Sequence, residues 1–250
     1  MERVGCIAMH LVPTPATTAT ILTVPCAGWK ILPGPHASIS NVYIMEVNDQ
    51  KAFLSSIEFV MKKMKAGGEP LPKSAFVFKM DSGLFISSFN YANDMDRIAN
   101  MARARKIRGE ITMDHKLLEM SSQKFEWHVS FVDERPIKMT GSRVVLVHMA
   151  IKSPEHVERL LQMNPTADLN AAFGAEYRKT GIKCTTMFRC SDTSAQFVSV
   201  LSDEAAYKKG GKEMMAKFSD AMGGNLMDSL VAPPEREFGT VVYFKNIDEI

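Results

Sequence analysis

A pattern of strands and helices occurs twice along the chain, with equivalent points about a hundred residues apart. The clearer copy runs from Val144 to Lys245 in the order strand, helix, strand, strand, helix, strand. Helices are predicted to begin near Ser153, Thr166 and Ser202, and the Gly210–Gly211 pair is expected to interrupt the last of them. The segments that we interpret as strands are VVLVHMAIK (144–152), IKCTTMFRC (182–190), AQFVSVL (195–201) and FGTVVYF (238–244).

The first copy shows the same order between residues 41 and 132. Asp49 is a predicted N-cap, and apolar residues at one-face helical spacing follow it until Gly67–Gly68 ends the helix. A second helix is expected from Asn93 or Asp94 to near Gly109, and a further helical piece over MDHKLLEMSSQK (113–124). The predicted strands are NVYIMEV (41–47), AFVFKM (75–80), LFISSFN (84–90) and FEWHVSFV (125–132).

These patterns predict an α+β fold made of two tandem ferredoxin-like (βαββαβ) units with antiparallel sheets. The expected organisation is an extended arm over residues 1–40, a first unit over 41–133, a linker over 134–142 and a second unit over 143–250. Each sheet would carry its helices on one face and leave the other bare. Packing of the two bare faces against each other, as an intramolecular barrel, is therefore one possible arrangement.

The first forty residues differ in composition from the rest of the chain. They contain three charged residues but five of the twelve prolines, which disfavours long helices and central strands. Three interpretations stay open: an arm that packs on its own domain, an arm that contacts a neighbouring subunit, and a relic of processing.

Charge and cysteine usage exclude several classes of protein. A net charge of +2 provides no overall field for recruiting nucleic acid or an anionic membrane, and no apolar run is long enough to span a bilayer. Cys184 and Cys190 lie too far apart along one predicted strand to form a disulfide, and no evidence joins Cys6 to Cys26. We therefore expect a reducing intracellular compartment, the cytoplasm or an organelle interior.

Three segments of the second copy resemble the dimeric α+β barrel superfamily, which includes stress-responsive barrels and antibiotic-biosynthesis-type monooxygenases. They are RKTGIKCTTMFRCSD (178–192), AQFVSVLSDEAAYKKGGKEMMAKF (195–218) and PPEREF (233–238). The resemblance implies paired ferredoxin-like sheets. Enzymatic members often place a histidine after the two alanines, here Ala205 and Ala206, and haem-degrading members use one as a ligand. This chain has Tyr207 in that region, so the resemblance does not imply haem binding.

Candidate catalytic residues are few. His128 and His148 lie on predicted strands, and Glu126 shares a strand face with His128, so the three are weak candidates for a general acid–base set. Histidine and cysteine spacing does not match a metal site, and no glycine motif for nucleotides is present, so neither a metal nor a cofactor is expected.

A basic cluster on the second helix could contact an acidic partner or simply be solvated; its members are Arg97, Arg103, Arg105, Lys106 and Arg108.

Two functional hypotheses follow, and whether the chain is an enzyme stays open between them. The main one is a non-catalytic, self-assembling structural subunit that uses the N-terminal arm for subunit contacts. The alternative is a barrel that binds a small apolar ligand between sheet and helices, or a cofactor-independent monooxygenase-like enzyme.

Overall fold

The computed structural model describes residues 39–109, 115–130, 139–162, 179–221 and 227–246. Within these ranges the side chains of Phe125–Ser130 and of several helix residues are not described. The predicted arm lies outside the described residues except for its last two positions, which begin the first strand.

The described chain has an α+β fold, as the sequence predicted. Its elements are β1 (Ile39–Val47), α1 (Gln50–Ala66), β2 (Ser74–Met80), β3 (Phe85–Tyr91), α2 (Asp94–Arg108), β4 (His115–Ser130), β5 (Arg143–Ala150), α3 (Pro154–Gln162), β6 (Ile182–Ser191), β7 (Ser194–Leu201), α4 (Glu204–Ala221), a 3-10 turn (Met227–Ser229) and β8 (Glu235–Asn246).

The elements form two compact units. The first unit contains the described residues of 35–125, 138–144 and 237–250, and the second contains those of 126–137 and 145–236. The sheet of the first unit has the order β4-β1-β3-β2-β8, with antiparallel pairing between these neighbours. Its β4-β1-β3-β2 part is the strand order of a ferredoxin-like unit. In the second unit β6 and β7 form an antiparallel hairpin whose turn joins Ser191 to Ser194, as predicted.

Alternation along the strands divides the first unit's sheet into two faces. Tyr43 of β1 is level with Ser87 of β3, which is level with Val77 of β2, and their side chains lie on the face that carries the helices. Phe53 and Ile57 of α1 pack against this face in one buried apolar cluster. The opposite face carries a buried polar row in which Asn90 hydrogen-bonds Ser40 and Ser74.

Both helices of the first unit begin and end where the sequence predicted. The Asp49 carboxylate accepts a hydrogen bond from the Ala52 amide at 3.0 Å, and the Asn93 side chain accepts one from the Asp96 amide at 2.8 Å. Gly67 and Gly109 are the C-caps, and Gly68 has a φ of 68°. The apolar residues Phe53, Ile57, Val60, Met61 and Met64 of α1 are buried, as their spacing indicated.

The prediction of a helical piece over residues 113–124 was wrong, because residues from His115 onward form strand β4. This strand pairs with β1 from Val47↔His115 to Ile39↔Lys124. The register shifts between Ile44↔Glu119 and Met45↔Leu117, so that Leu118 is an extra, unpaired residue of a β-bulge. The bulge places Leu117 and Met120 on the same face although they are three residues apart. That spacing is the one that indicates a helix, which explains the error.

The Gly210–Gly211 pair does not interrupt the last helix, contrary to the prediction. Helix α4 runs without a break from Glu204 to Ala221. A Cβ atom at Gly210 would lie 3.1 Å from Cγ2 of Thr180, and one at Gly211 would lie 3.7 Å from the ring of Tyr207. Glycine at position 210 thus allows α4 to pack closely on Thr180, whereas the distance at Gly211 is that of an ordinary van der Waals contact.

Candidate ligand-binding site

A cavity of about 200 Å³ lies in the first unit, between its sheet and helices α1 and α2. Strands β1 and β3 provide one wall through Tyr43, Met45 and Phe89. Helix α1 provides another through five positions of its apolar stripe, and all of them are buried: Phe53, Ile57, Val60, Met61 and Met64. The cavity therefore arises because the apolar faces of the helices and the sheet do not fill all the space between them.

Methionine is prominent in the lining. Five of the eighteen methionines contact the cavity: Met45, Met61, Met64, Met101 and Met120. Thioether side chains rotate freely and are polarizable, and they make favourable contacts with aromatic rings. The cavity is thus suited to an apolar molecule, and its walls can adjust to the shape of that molecule.

Aromatic rings form part of the wall beside helix α1. The ring of Phe53 lies 6.2 Å from that of Phe85 in an edge-on arrangement, and 5.5 Å from the ring of His115. His115 was expected on a helix, but it is the first residue of β4 and lines the cavity. Phe53 and His115 thus bring two rings into the lining, and another aromatic ring packs well against such rings.

Two polar groups are held inside the wall. The phenol of Tyr91 donates a hydrogen bond to Oδ1 of Asn100 at 2.7 Å, and Nδ2 of Asn100 donates to the carbonyl of Pro70 at 2.8 Å. Tyr91 is only 2% exposed, and burial raises the pKa of its phenol far above the usual range. The phenol is therefore neutral at physiological pH and acts as a hydrogen-bond donor.

Tyr43 lies where strand β1 meets the end of helix α2. The guanidinium carbon of Arg108 lies 5.7 Å from the centre of the Tyr43 ring, and Phe89 contacts the same ring edge-on at 5.9 Å. Burial raises the pKa of Tyr43, although the positive charge of Arg108 partly opposes this effect. Tyr43 thus fixes a cation against the apolar wall.

The opening of the cavity is partly apolar and partly cationic. Leu117 and Met120 of β4 line it and are 49% and 48% exposed. Arg105 and Arg108 line it from the last turn of α2. The β-bulge at Leu118 is what turns both Leu117 and Met120 toward this opening.

The structure describes only one side chain of the sequence-predicted catalytic set. His128 and Glu126 lie on β4, but their side chains are outside the described residues. His148 lies on β5 in the second unit and is partly buried. A catalytic role for these three residues therefore stays a prediction.

The predicted basic cluster on α2 divides into residues with different surroundings. Arg97 forms an ion pair with Asp94 at 2.5 Å and donates to Oδ1 of Asn41 at 3.2 Å. Arg103 pairs with Glu69 at 3.4 Å. Arg105 and Arg108 line the cavity instead. The cluster is thus not one continuous solvated face.

Sequence reasoning missed the residues that make up this cavity. Tyr43, Tyr91 and Asn100 were interpreted only as parts of a strand or helix, because their positions in the sequence do not indicate that they meet. The available signal was the register of the predicted strands. Tyr43, Phe89 and Tyr91 fall on the face that the apolar stripe of α1 must cover.

The residues that the structure describes contain no group of three or more side chains that could hold a metal ion. None of the described helices is both long enough and apolar enough to cross a membrane.

The strand order and the helix-covered face of the first unit define a class of α+β proteins with ferredoxin-like sheets. Several solved structures of this class superpose on the chain. One is a candidate monooxygenase from Fusobacterium nucleatum subsp. nucleatum, with a TM-score of 0.56 at 15% sequence identity over 84% of this chain and 95% of that protein. An anthrone oxidase-like protein gives a TM-score of 0.56 at 12% identity, over 87% and 96% of the two chains.

A candidate monooxygenase from Lactobacillus acidophilus gives a TM-score of 0.53 at 12% identity, over 84% and 96% of the chains. At these identities the similarity establishes the fold and not the activity. The resemblance to monooxygenase-type α+β proteins is therefore confirmed at the level of fold. No protein-family model matches the chain, and neither does any curated protein sequence.

Proposed function

We propose that the chain binds a small aromatic molecule in the cavity between the first unit's sheet and helices α1 and α2. The observation that carries this proposal is the enclosed wall of methionine and aromatic side chains around about 200 Å³. Enclosed apolar cavities with a few placed polar groups are the usual form of small-molecule sites. Here the placed groups are Tyr91 and Asn100, which meet at 2.7 Å within the wall.

The volume in this structure suits a ligand of one or two rings, and a three-ring molecule such as anthrone requires the walls of the cavity to move apart. An engineered apolar cavity of about 150 Å³ accepts benzene, so 200 Å³ suits a somewhat larger molecule such as a naphthalene derivative. Mobile methionine side chains allow some expansion. For about twelve heavy atoms we expect a Kd between the micromolar and millimolar ranges.

This proposal replaces self-assembly as the main functional hypothesis. Self-assembly depended on an arm over residues 1–40, and nearly all of that segment lies outside the described residues. The ligand hypothesis depends on side chains whose positions are described.

A second candidate function is oxidation of the bound ligand by molecular oxygen without a cofactor. The similarity to candidate monooxygenases and to an anthrone oxidase-like protein favours it. An anthrone-type substrate can supply all the electrons: its CH₂ group becomes a carbonyl, one oxygen atom enters the product and the other leaves as water. In this chemistry the protein binds and orients an apolar ring system, for which the cavity is suited.

Ligand binding is tested with 2-naphthalenemethanol as a neutral probe. In protein carrying ¹³C-methyl methionine, we expect the signals of Met45, Met61 and Met64 to shift in a saturable way, because these residues line the cavity. Ala104, which is 5% exposed and also lines the cavity, is replaced by leucine to fill the space. The Ala104→Leu variant should lose most of the binding.

Ala99→Leu is the matched control, because Ala99 lies on the same helix but is exposed. It should bind the probe as the unaltered protein does. Absence of saturable shifts in the unaltered protein, or equal effects of the two substitutions, would contradict the proposed function.

Oxidation is tested separately by measuring oxygen uptake with anthrone and the absorbance of the quinone product. The Ala104→Leu variant should reduce the rate above the uncatalysed background, while Ala99→Leu should not. Binding of 2-naphthalenemethanol without any rate above background would leave the chain as a binding protein and rule out this second candidate for anthrone.

A further inference from the structure

We propose that the natural ligand of this cavity carries a carboxylate, which the guanidinium groups of Arg108 and Arg105 bind at the cavity opening. The inference rests on the proposed function and adds the chemical class of the ligand. It assigns to two arginines a role that the apolar walls alone do not suggest.

The first observation is the location of the two arginines. Both line the cavity from the last turn of helix α2. Arg108 is partly buried, its guanidinium carbon lies 5.7 Å from the centre of the Tyr43 ring, and its side chain also interacts with the Tyr43 hydroxyl. A guanidinium group carries five N–H donors, so donors beyond the one directed at Tyr43 stay available to a ligand.

The second observation is the difference from the other arginines of the same helix. Arg97 pairs with Asp94 at 2.5 Å and Arg103 pairs with Glu69 at 3.4 Å. Among the described residues no carboxylate lies within ion-pair distance of Arg105 or Arg108. The two arginines that line the cavity are therefore the two whose charge the described part of the unit leaves uncompensated.

The nearest acidic side chain on strand β1 does not compensate them. Glu46 pairs with Lys116 of β4 at 3.4 Å, and both side chains are more than half exposed. This pair carries no net charge, so the potential that Arg105 and Arg108 create at the opening stays positive. A ligand with a negative group at one end would meet this potential as its apolar part enters the cavity.

Basic residues in the last turn also stabilise a helix through its dipole, and this effect applies to Arg105, Lys106 and Arg108 alike. It does not explain why two of them line an apolar cavity or why the guanidinium group of one lies over the Tyr43 ring. A carboxylate accounts for both, because the guanidinium fork binds the two carboxylate oxygens in a bidentate manner. The ligand class is thus a small aromatic or similarly apolar monocarboxylic acid.

The test compares two probes with the same ring system: 2-naphthoate, which is ionised at neutral pH, and 2-naphthalenemethanol, which is neutral. We expect the unaltered protein to bind the acid at least about 10-fold more tightly, in line with hydrogen bonds to charged groups. Arg108→Gln should remove most of this preference while changing the affinity for the alcohol by less than about 2-fold. Arg108→Lys keeps the charge but not the guanidinium fork. Its preference for the acid should lie between those of the unaltered protein and of Arg108→Gln.

Lys106→Gln is the matched control. It removes the same charge from the same helical turn, but Lys106 does not line the cavity. The preference for the acid should persist in this variant. Arg105→Gln should reduce the preference, and it provides an independent variant if Arg108→Gln fails to fold, as judged by its methionine methyl spectrum.

The outcomes separate the two proposals. Equal binding of both probes by the unaltered protein would overturn the carboxylate inference and leave the proposed function intact. Equal loss of both probes in Arg108→Gln and in Arg105→Gln would show that the arginines only maintain the fold, and it would also overturn the inference. If neither probe binds, the proposed function and the inference are both overturned.

Discussion

The phenol of Tyr91 and the side-chain amide of Asn100 form a buried pair, with Tyr91 donating to Oδ1 at 2.7 Å. Tyr91 is the last residue of β3, and Asn100 lies two turns into α2. Because Asn100 also donates to the Pro70 carbonyl at 2.8 Å, the pair joins a strand, a helix and the loop before β2. This one interaction therefore fixes the distance between the sheet and α2, and with it the width of the cavity.

Tyr91→Phe should destabilise the protein by about 1–2 kcal/mol, because it leaves a buried amide oxygen without its donor. Asn100→Ala should cost a similar amount or more, since it removes two hydrogen bonds and some packing. Urea denaturation of both single variants and the double variant gives the coupling between the residues. We expect a coupling of about 1 kcal/mol, whereas strict additivity would show that the pair does not act as a unit.

Gly181 and Gly68 provide a matched test of backbone strain against close packing. Their φ angles are 69° and 68°, so alanine costs about 1–2 kcal/mol at either position through conformation alone. A Cβ at Gly181 would also lie 2.6 Å from the carbonyl oxygen of Asp203, whereas one at Gly68 would meet nothing within 4 Å.

We therefore expect Gly181→Ala to reduce the free energy of unfolding clearly more than Gly68→Ala does. The loop at Gly181 cannot easily shift, because its carbonyl accepts hydrogen bonds from both the amide and the hydroxyl of Ser202, at 2.7 and 2.9 Å. Thermal or urea denaturation measures both effects. Equal losses would show that the contact with Asp203 relaxes without cost.

Local signals were sufficient where one element determines its own structure. Helix α1 combines an N-cap aspartate, one apolar stripe and two glycines, and all three agree with the observed bounds. The positions of the hairpin strands along the sequence could also be inferred, since runs of β-forming residues separated by turn residues mark both hairpins.

Local signals failed where pairing with a distant segment determines the structure of a residue. Leu117 and Met120 have helical spacing, but pairing of their segment with β1 and the bulge at Leu118 override it. The same reason explains the missed site. Its residues come from five elements between Tyr43 and Met120, and only the strand register and the packing of α1 and α2 bring them together.

The bulge makes a testable distinction between two adjacent leucines. Leu117 and Leu118 are similarly exposed, at 49% and 44%, but only Leu117 lines the cavity. Leu117→Ser should weaken binding of 2-naphthalenemethanol by about 3–10-fold through lost apolar contact, while Leu118→Ser should leave it unchanged. Titration followed by the methionine methyl signals measures both affinities. A larger effect at Leu118 would show that the bulge lies elsewhere in β4.

The buried thiol of Cys184 predicts how stability depends on alkaline pH. Burial raises the pKa of Cys184 to about 12, compared with about 9 for an exposed thiol. Above pH 9 the thiol loses its proton in the unfolded chain but keeps it in the folded chain. The unfolded state is then favoured, so the contribution of this group to stability is present below pH 9 and is lost as the pH rises toward 12.

A comparison of the unaltered protein with Cys184→Ala measures this dependence. The substitution leaves a small cavity, so it should lower stability at pH 7. Between pH 9 and 10.5, however, the free energy of unfolding of the unaltered protein should decline more steeply than that of the variant, by about 1 kcal/mol per pH unit. Other titrating groups contribute equally to both proteins and cancel in the difference. Parallel pH profiles would mean that the Cys184 thiolate forms as easily in the folded chain as in the unfolded one.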